Sequence, residues 1–349
     1  MAPIDRSELK GLVQTVTGLI DPKLVGPTLM HEHLFIDLNP PRFRAEAVED
    51  EEITLCNCWK INYGQVISRL NYRLDDKQVA IAEVADMKAA GGSTLVELTV
   101  GGLQPDPAGL VDIARATGVN IVMGCGHYVD EYQDEANRSR SVDDFAAEMI
   151  GQITQGAWGT DVRAGIIGEI GCQAPWTDLE KNVMRGALIA QRETGAAINV
   201  HPGRHPDQPQ EVMDFIRAAG HPTERVIISH IDRTIFDADR ILRLAQTGCV
   251  LEFDLFGWET SFYGPQPSVD MQNDAQRIQW LRLLLDRGHR DQVVISQDIC
   301  VKTRLCSYGG HGYQHIFANV VPLMRRHDFT QGEIDAILVD TPTRMLTFA

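Results

Sequence analysis

TDLEKNVMRGALIAQRETGAAINVH, from Thr177 to His201, carries the pattern that decides the fold. Thr177-Asp-Leu-Glu180 reads as a capping box that opens a helix. That helix ends before Gly195, because glycine accepts the left-handed conformation favoured just past a helix end. Ala197-Ile-Asn-Val-His201 follows as a short apolar strand. The same unit recurs on both sides. Helical segments end at Gly91-Gly92, Gly118, Gly156, Gly220, Gly248 and Gly288. Strand-like runs follow most of them: Thr94 to Thr99, Val119 to Met123, Gly165 to Ile170, Val226 to His230, Cys249 to Asp254 and Gln292 to Ser296.

Near-continuous apolar strands alternating with helices imply a parallel sheet covered on both faces. A further strand ending between Leu29 and His33 makes eight. Eight such units in 349 residues predict an α/β fold, a (β/α)8 TIM barrel, with a doubly wound open sheet as the alternative. Ile278, Trp280, Leu281, Leu283, Leu284 and Leu285 give residues 272–287 the apolar face of a long barrel helix. No linker or low-complexity tract divides the chain, so 1–349 is expected to be one barrel domain. Residues 40–76, acidic and then aromatic, are expected to form an insertion after the first strand. Cys56-Asn-Cys58 within it lacks the second half that a zinc pattern needs.

Apolar residues make up 44% and charged residues 23%, which excludes wholesale disorder. The net charge of −16 repels phosphate backbones and anionic bilayers, so no nucleic-acid or membrane partner is expected. No apolar run approaches the roughly 18 residues of a membrane span. Met1-Ala-Pro-Ile-Asp-Arg6 shows no secretory apolar region. Seven cysteines, odd in number and sparse, argue against a disulfide framework. A cytoplasmic protein is the expectation.

His31-Glu-His33 closes the first strand. Residues i and i+2 of a strand share a face, so two imidazoles can reach one cation. Glu169 ends the fourth strand, His201 the fifth, His230 the sixth and Asp298 the eighth. The carboxyl ends of barrel strands converge on one mouth, where sites of this fold are built. Six ligands exceed one tetrahedral ion and suit two ions sharing a bridging carboxylate. His31, His33 and Asp298 are assigned to the more buried ion, His201 and His230 to the more exposed one, and Glu169 to the bridge. Asp298 is also the expected proton carrier for an attacking water. Asp232 is expected to orient a histidine or to pair with Arg233, and Asp254 receives no role.

These residues resemble the phosphotriesterase branch of the amidohydrolase superfamily, and within it the phosphotriesterase-related proteins of animals. The resemblance rests on Thr28-Leu-Met-His-Glu-His33, Gly165-Ile-Ile-Gly-Glu-Ile-Gly171, His201-Pro-Gly-Arg204, Ser229-His-Ile-Asp-Arg233, Phe253-Asp-Leu-Phe-Gly257, Gly309-Gly-His-Gly-Tyr313 and Asn319-Val-Val-Pro322. It covers nearly the whole chain. It implies the same six ligands and two divalent ions, zinc being the expected metal. True phosphotriesterases bridge their metals with a carboxylated lysine on strand four. Glu169 stands in that place here, which matches the related branch.

For the animal branch the resemblance implies hydrolysis of N-acetyltaurine to taurine and acetate. The expected partner is therefore a small anionic N-acyl substrate, and a homodimer is compatible with the branch. A lactonase or carboxylesterase, a phosphotriesterase, and an idle metal-loaded ligand-binding barrel are the alternatives. A sulfonate needs cations or backbone N–H groups near the mouth. Arg204, Arg233, Lys302 and Arg304, shortly after strand ends, are the candidates, with Tyr128 as a hydrogen-bonding neighbour. Gly309-Gly-His-Gly312 has no Lys-Ser/Thr successor and is not a nucleotide loop. Cys172 and Cys300 lack a dedicated base and are not read as nucleophiles.

Overall fold

A computed structural model describes residues 4–44 and 50–349. Eight parallel strands form one sheet: β1 Thr28–Glu32, β2 Thr94–Glu97, β3 Asn120–Cys125, β4 Ile166–Gly171, β5 Ile198–His201, β6 Val226–Ile228, β7 Val250–Phe253 and β8 Val293–Ile295. Each strand from β1 to β8 is hydrogen-bonded to the next in sequence order. The sheet curls into a (β/α)8 barrel with helices around it. These include α1 Lys77–Ala89, α2 Pro107–Thr117, α3 Val142–Thr154, α4 Asp178–Thr194, α5 Gln208–Ala218, α6 Ala238–Ala245 and α7 Asp274–Asp286.

The local signals act as physical chemistry requires. Thr177 and Glu180 form the reciprocal capping box of α4, and Gly195 ends it in the left-handed conformation at φ 81°. Asn273 and Gln276 cap α7 in the same way.

Side chains fill the barrel in layers. Met30, Val96, Val122, Ile166, Ile227, Val250 and Val294, one from each of seven strands, and Ala197 just before β5 belong to one apolar cluster. Above it lies a polar layer. Asn199 Nδ2 donates to Glu252 Oε2 at 2.7 Å, and Ser229 Oγ donates to the same oxygen at 2.7 Å. Two residues further along β5 and β7 come His201 and Asp254, at the mouth. A second cluster joins the outer strand faces to the helices.

No ladder joins β1 to β8. A buried carboxylate closes the seam instead. Glu32 Oε1 accepts from Ser296 Oγ at 2.6 Å and Gln297 N at 2.8 Å, and its Oε2 accepts from Ile299 N at 3.0 Å. Across the same seam His31 N donates to Ser296 Oγ at 2.9 Å, and Asp298 N donates to the His31 carbonyl at 3.1 Å. The first and last strands are thereby tied at the height of the site.

Between β1 and α1 the chain makes an excursion over the mouth. Ile36–Asp37 pairs antiparallel with Arg73–Leu74 and closes its neck. Among the described residues of the excursion is a helix, Cys58–Asn62. No helix of the described residues is long and apolar enough to cross a membrane.

Candidate active site

His31, His33, Glu169, His201, His230 and Asp298 meet at the carboxyl ends of the strands. His201 lies inward by simple alternation from Ala197 and Asn199. His230 does not: Ile227 and Ser229 already face inward, so regular backbone would send residue 230 outward. Its φ of 55° turns the ring back to the mouth. Glu169 has the same problem. A register shift between Ile167 and Ile170, with Gly168 at φ 120°, turns its carboxylate inward.

Glu169 sits at the centre. Its Oε2 is 2.7 Å from His201 Nδ1, 3.4 Å from His230 Nε2 and 3.5 Å from His31 Nε2, and its Oε1 is 3.6 Å from His33 Nε2. Asp298 Oδ1 lies 3.2 Å from His33 Nε2 and 3.8 Å from His31 Nε2. Burial alone would raise the Glu169 carboxyl. The His201 and His31 imidazoles and the hydrogen bond from His201 hold it well below the usual range. His201 is pushed down to about 3, chiefly by burial, against the attraction of Glu169.

The fit of this donor set to metal ions follows from the outer nitrogens. His230 Nδ1 is 2.9 Å from Asp254 Oδ1. His33 Nδ1 is 2.9 Å from Thr99 Oγ1, which donates to Glu97 Oε1 at 2.5 Å. His31 Nδ1 faces Asp254 Oδ2 at 3.3 Å and Glu252 Oε2 at 3.4 Å. Acceptors outside each ring assign the proton to Nδ1 and leave the Nε2 lone pair facing inward. His31 Nε2 is buried and has no hydrogen-bond partner. Ligand atoms of His31, His33 and Asp298 lie within 4.8 Å of one another, as do those of His31, Glu169 and His230. Inward lone pairs, an orphaned buried nitrogen and two carboxylates are what a divalent-ion site requires.

His201 is the exception. Its Nε2 is 3.2 Å from Arg233 Nη2, a group that only donates. That contact favours the tautomer whose Nδ1–H donates to Glu169. Holding a cation at Nδ1 needs the other tautomer, with Nε2–H turned to Tyr128 Oη at 3.4 Å.

The cluster forms the floor of a cavity of about 570 Å³. Ile61, Val66 and Ile67 of the excursion line one wall. Trp258, Phe262 and Tyr263, from the loop after β7, line another. The Phe262 ring lies against Gly64, where any side chain would collide with it. Tyr128, Arg204, Arg233 and Arg304 also line the cavity. Lys302 does not: its Nζ lies 3.4 Å from Asp75 Oδ1, beside Tyr308 and outside the mouth.

The expected role of Asp232 is corrected. It orients no ring and does not pair with Arg233. Its Oδ2 accepts from Arg277 Nε at 2.8 Å and from Leu255 N at 3.0 Å, because α7 brings a fully buried guanidinium against it. Asp254, which the sequence left without a role, is the carboxylate that orients His230. Its signal was present: it stands two residues beyond the inward-facing Glu252. Burial pushes the Cys172 and Cys300 thiols well up, away from nucleophilic use. No metal-binding group among the described residues includes Cys56 or Cys58.

The family model described as "Phosphotriesterase family" matches residues 11–346. The chain belongs to the phosphotriesterase family. It is similar to the N-acetyltaurine hydrolase of Bos taurus, with 41% identity over 98% of this chain and 99% of that protein. A phosphotriesterase-related protein of Nematostella vectensis is 39% identical over 97% of this chain and 99% of its own length. Among solved structures, a resiniferatoxin-binding protein from Rhodobacter sphaeroides superposes with a TM-score of 0.90. It is 33% identical and 98% of each chain is covered. Membership of the phosphotriesterase family makes the chain a hydrolase whose chemistry depends on metal.

Proposed function

We propose that this hydrolase is a binuclear amidohydrolase that cleaves N-acetyltaurine to taurine and acetate. The observation that carries the reading is the convergence of four imidazoles and two carboxylates on the floor of one cavity. Relatives named N-acetyltaurine hydrolases at 40–41% identity over nearly the full chain support the substrate. His31, His33 and Asp298 would hold one ion, His201 and His230 the other, with Glu169 between them and zinc as the expected metal. When bound, divalent ions polarise an acyl oxygen and bring the pKa of water toward neutrality.

The chain's own groups supply the rest. The Asp298 side chain is 15% exposed, more than that of any other member of the cluster, so it faces the cavity. It takes the proton of the attacking water and delivers it to the leaving amine. Burial, with Glu169 nearby, keeps the Tyr128 phenol protonated, so it remains a donor toward the substrate oxygen. Arg204, Arg233 and Arg304 give the cavity a positive wall suited to a sulfonate.

The test is taurine release by purified protein before chelation, after it, and after return of zinc. Release that vanishes and returns supports the reading. Metal-replete protein that releases no taurine ends it.

A further inference from the structure

Four basic side chains follow the strand ends, and they are not equivalent. Lys302 pairs with Asp75 outside the cavity. Arg233 is 2% exposed and its donors are engaged: Nη2 reaches Pro202 O at 3.1 Å and Nη1 reaches Thr234 Oγ1 at 3.3 Å. Arg204 is half-buried, with Nε donating to Tyr263 Oη at 3.1 Å.

Arg304 differs from all three. It lines the cavity at 8% exposure. Its Nη2 donates to Phe256 O at 2.6 Å, and its guanidinium carbon lies 5.4 Å from the Trp258 ring centre. Its Nη1 is buried and has no hydrogen-bond partner. No carboxylate among the described residues pairs with it. Arg277 shows what the fold does with a buried guanidinium that is structural. Its Nε meets Asp232 at 2.8 Å and its Nη1 meets Asp274 at 2.9 Å. Asp298 and Glu32 act on Arg304 electrostatically without touching it, so an anion entering the cavity would give this buried charge the direct partner it lacks.

The backbone around Arg304 is clamped. Gly312 N donates to Arg304 O at 2.9 Å, and Gly310 packs so close to the Arg304 backbone that no Cβ fits there. The Gly309-Gly-His-Gly312 motif thus holds an arginine in place; it is not itself an anion loop. A donor fixed before binding loses little freedom when its partner arrives.

We propose that Arg304 is the substrate's anion anchor, its cavity-lining guanidinium receiving an oxygen of the sulfonate that N-acetyltaurine carries on its leaving group. The proposal deepens the amidohydrolase reading and rests on it for the identity of the anion. Anchoring there fixes one end of the substrate while the amide lies over the metal-binding floor.

The experiment uses zinc-loaded enzyme and two substrates of equal length: N-acetyltaurine and the neutral methyl sulfone with the same acetamidoethyl group. Wild-type enzyme should prefer the sulfonate. In Arg304→Met that preference in kcat/KM should fall about 10- to 100-fold, mostly through KM, the size of one lost charge-assisted hydrogen bond. Arg304→Gln removes the same charge while keeping a polar side chain and should show the same loss. Lys302→Met should leave the preference unchanged. As a readout independent of turnover, propane-1-sulfonate should raise the melting temperature of wild-type enzyme and fail to raise that of either Arg304 variant. Equal loss on both substrates, or a sulfonate shift that survives in both variants, overturns the assignment. If wild-type enzyme cleaves neither amide, the N-acetyltaurine reading falls, and the sulfonate shift still decides Arg304.

Discussion

His230 and Asp298 adopt φ of 55° and 48°, conformations that branched or bulky residues avoid. At both positions the backbone leaves the regular strand and turns the side chain into the cluster. Around them, a few carboxylates set the tautomers. Asp254→Asn removes the charge behind His230 while keeping an acceptor for its N–H. Metal affinity should fall about 10- to 100-fold, read by competition with a chelating dye. Unchanged affinity would show that Asp254 does not orient that ring. Asp298→Asn should retain most of its metal and lose most turnover, since an amide still coordinates weakly but carries no proton. Wild-type turnover in that variant would remove Asp298 from the mechanism. The six cluster residues were legible in the sequence because strand ends converge in a barrel and histidines at strand ends are conspicuous. Asp254 and Glu252 were not, because two more carboxylates in apolar strands look like exceptions until their partners are seen. Asp232 misled for a related reason. Its partner, Arg277, lies 45 residues away on another element.

At the scale of elements, the strands and the α4 cap could be read from the chain because each signal is local. Glycine past a helix end, a reciprocal cap and a β-branched run need no distant partner. The seam between β1 and β8 is the opposite case. Glu32 lies in a motif dominated by its two histidine neighbours, and its three donors come from residues more than 260 positions away. Glu32→Gln puts an amide nitrogen against at least one buried donor. It should cost about 1–3 kcal/mol, seen as a lower urea midpoint at unchanged slope. No change in midpoint would mean the barrel closes without this carboxylate. The neck of the excursion was also beyond sequence reading. It is an antiparallel pair of two residues on each side, too short to leave a periodic signal. The apolar wall built from Trp258, Phe262 and Tyr263 lies in a loop, where no periodicity marks which side chains face the cavity.

For the molecule as a whole, the two halves of the site depend on each other. The cluster lies where β1, β4, β5, β6 and β8 end, so an ion held there cross-links distant parts of the chain and binds only the folded state. Removing metal should therefore lower the melting temperature, and returning it should restore the wild-type value, with the shift growing with free metal concentration. A melting temperature indifferent to metal would contradict a site built from these six residues. The acidic chain as a whole repels anions, yet the mouth carries three arginines, so recognition of an anionic substrate has to be local. Chemistry and recognition then meet in one cavity, and the number of ions on its floor decides the account. The most direct measurement is a zinc titration of metal-free protein, with taurine release from N-acetyltaurine followed at each addition. Release should continue to rise until two equivalents per chain are bound. Full activity at one equivalent, or two bound equivalents without taurine release, would contradict it.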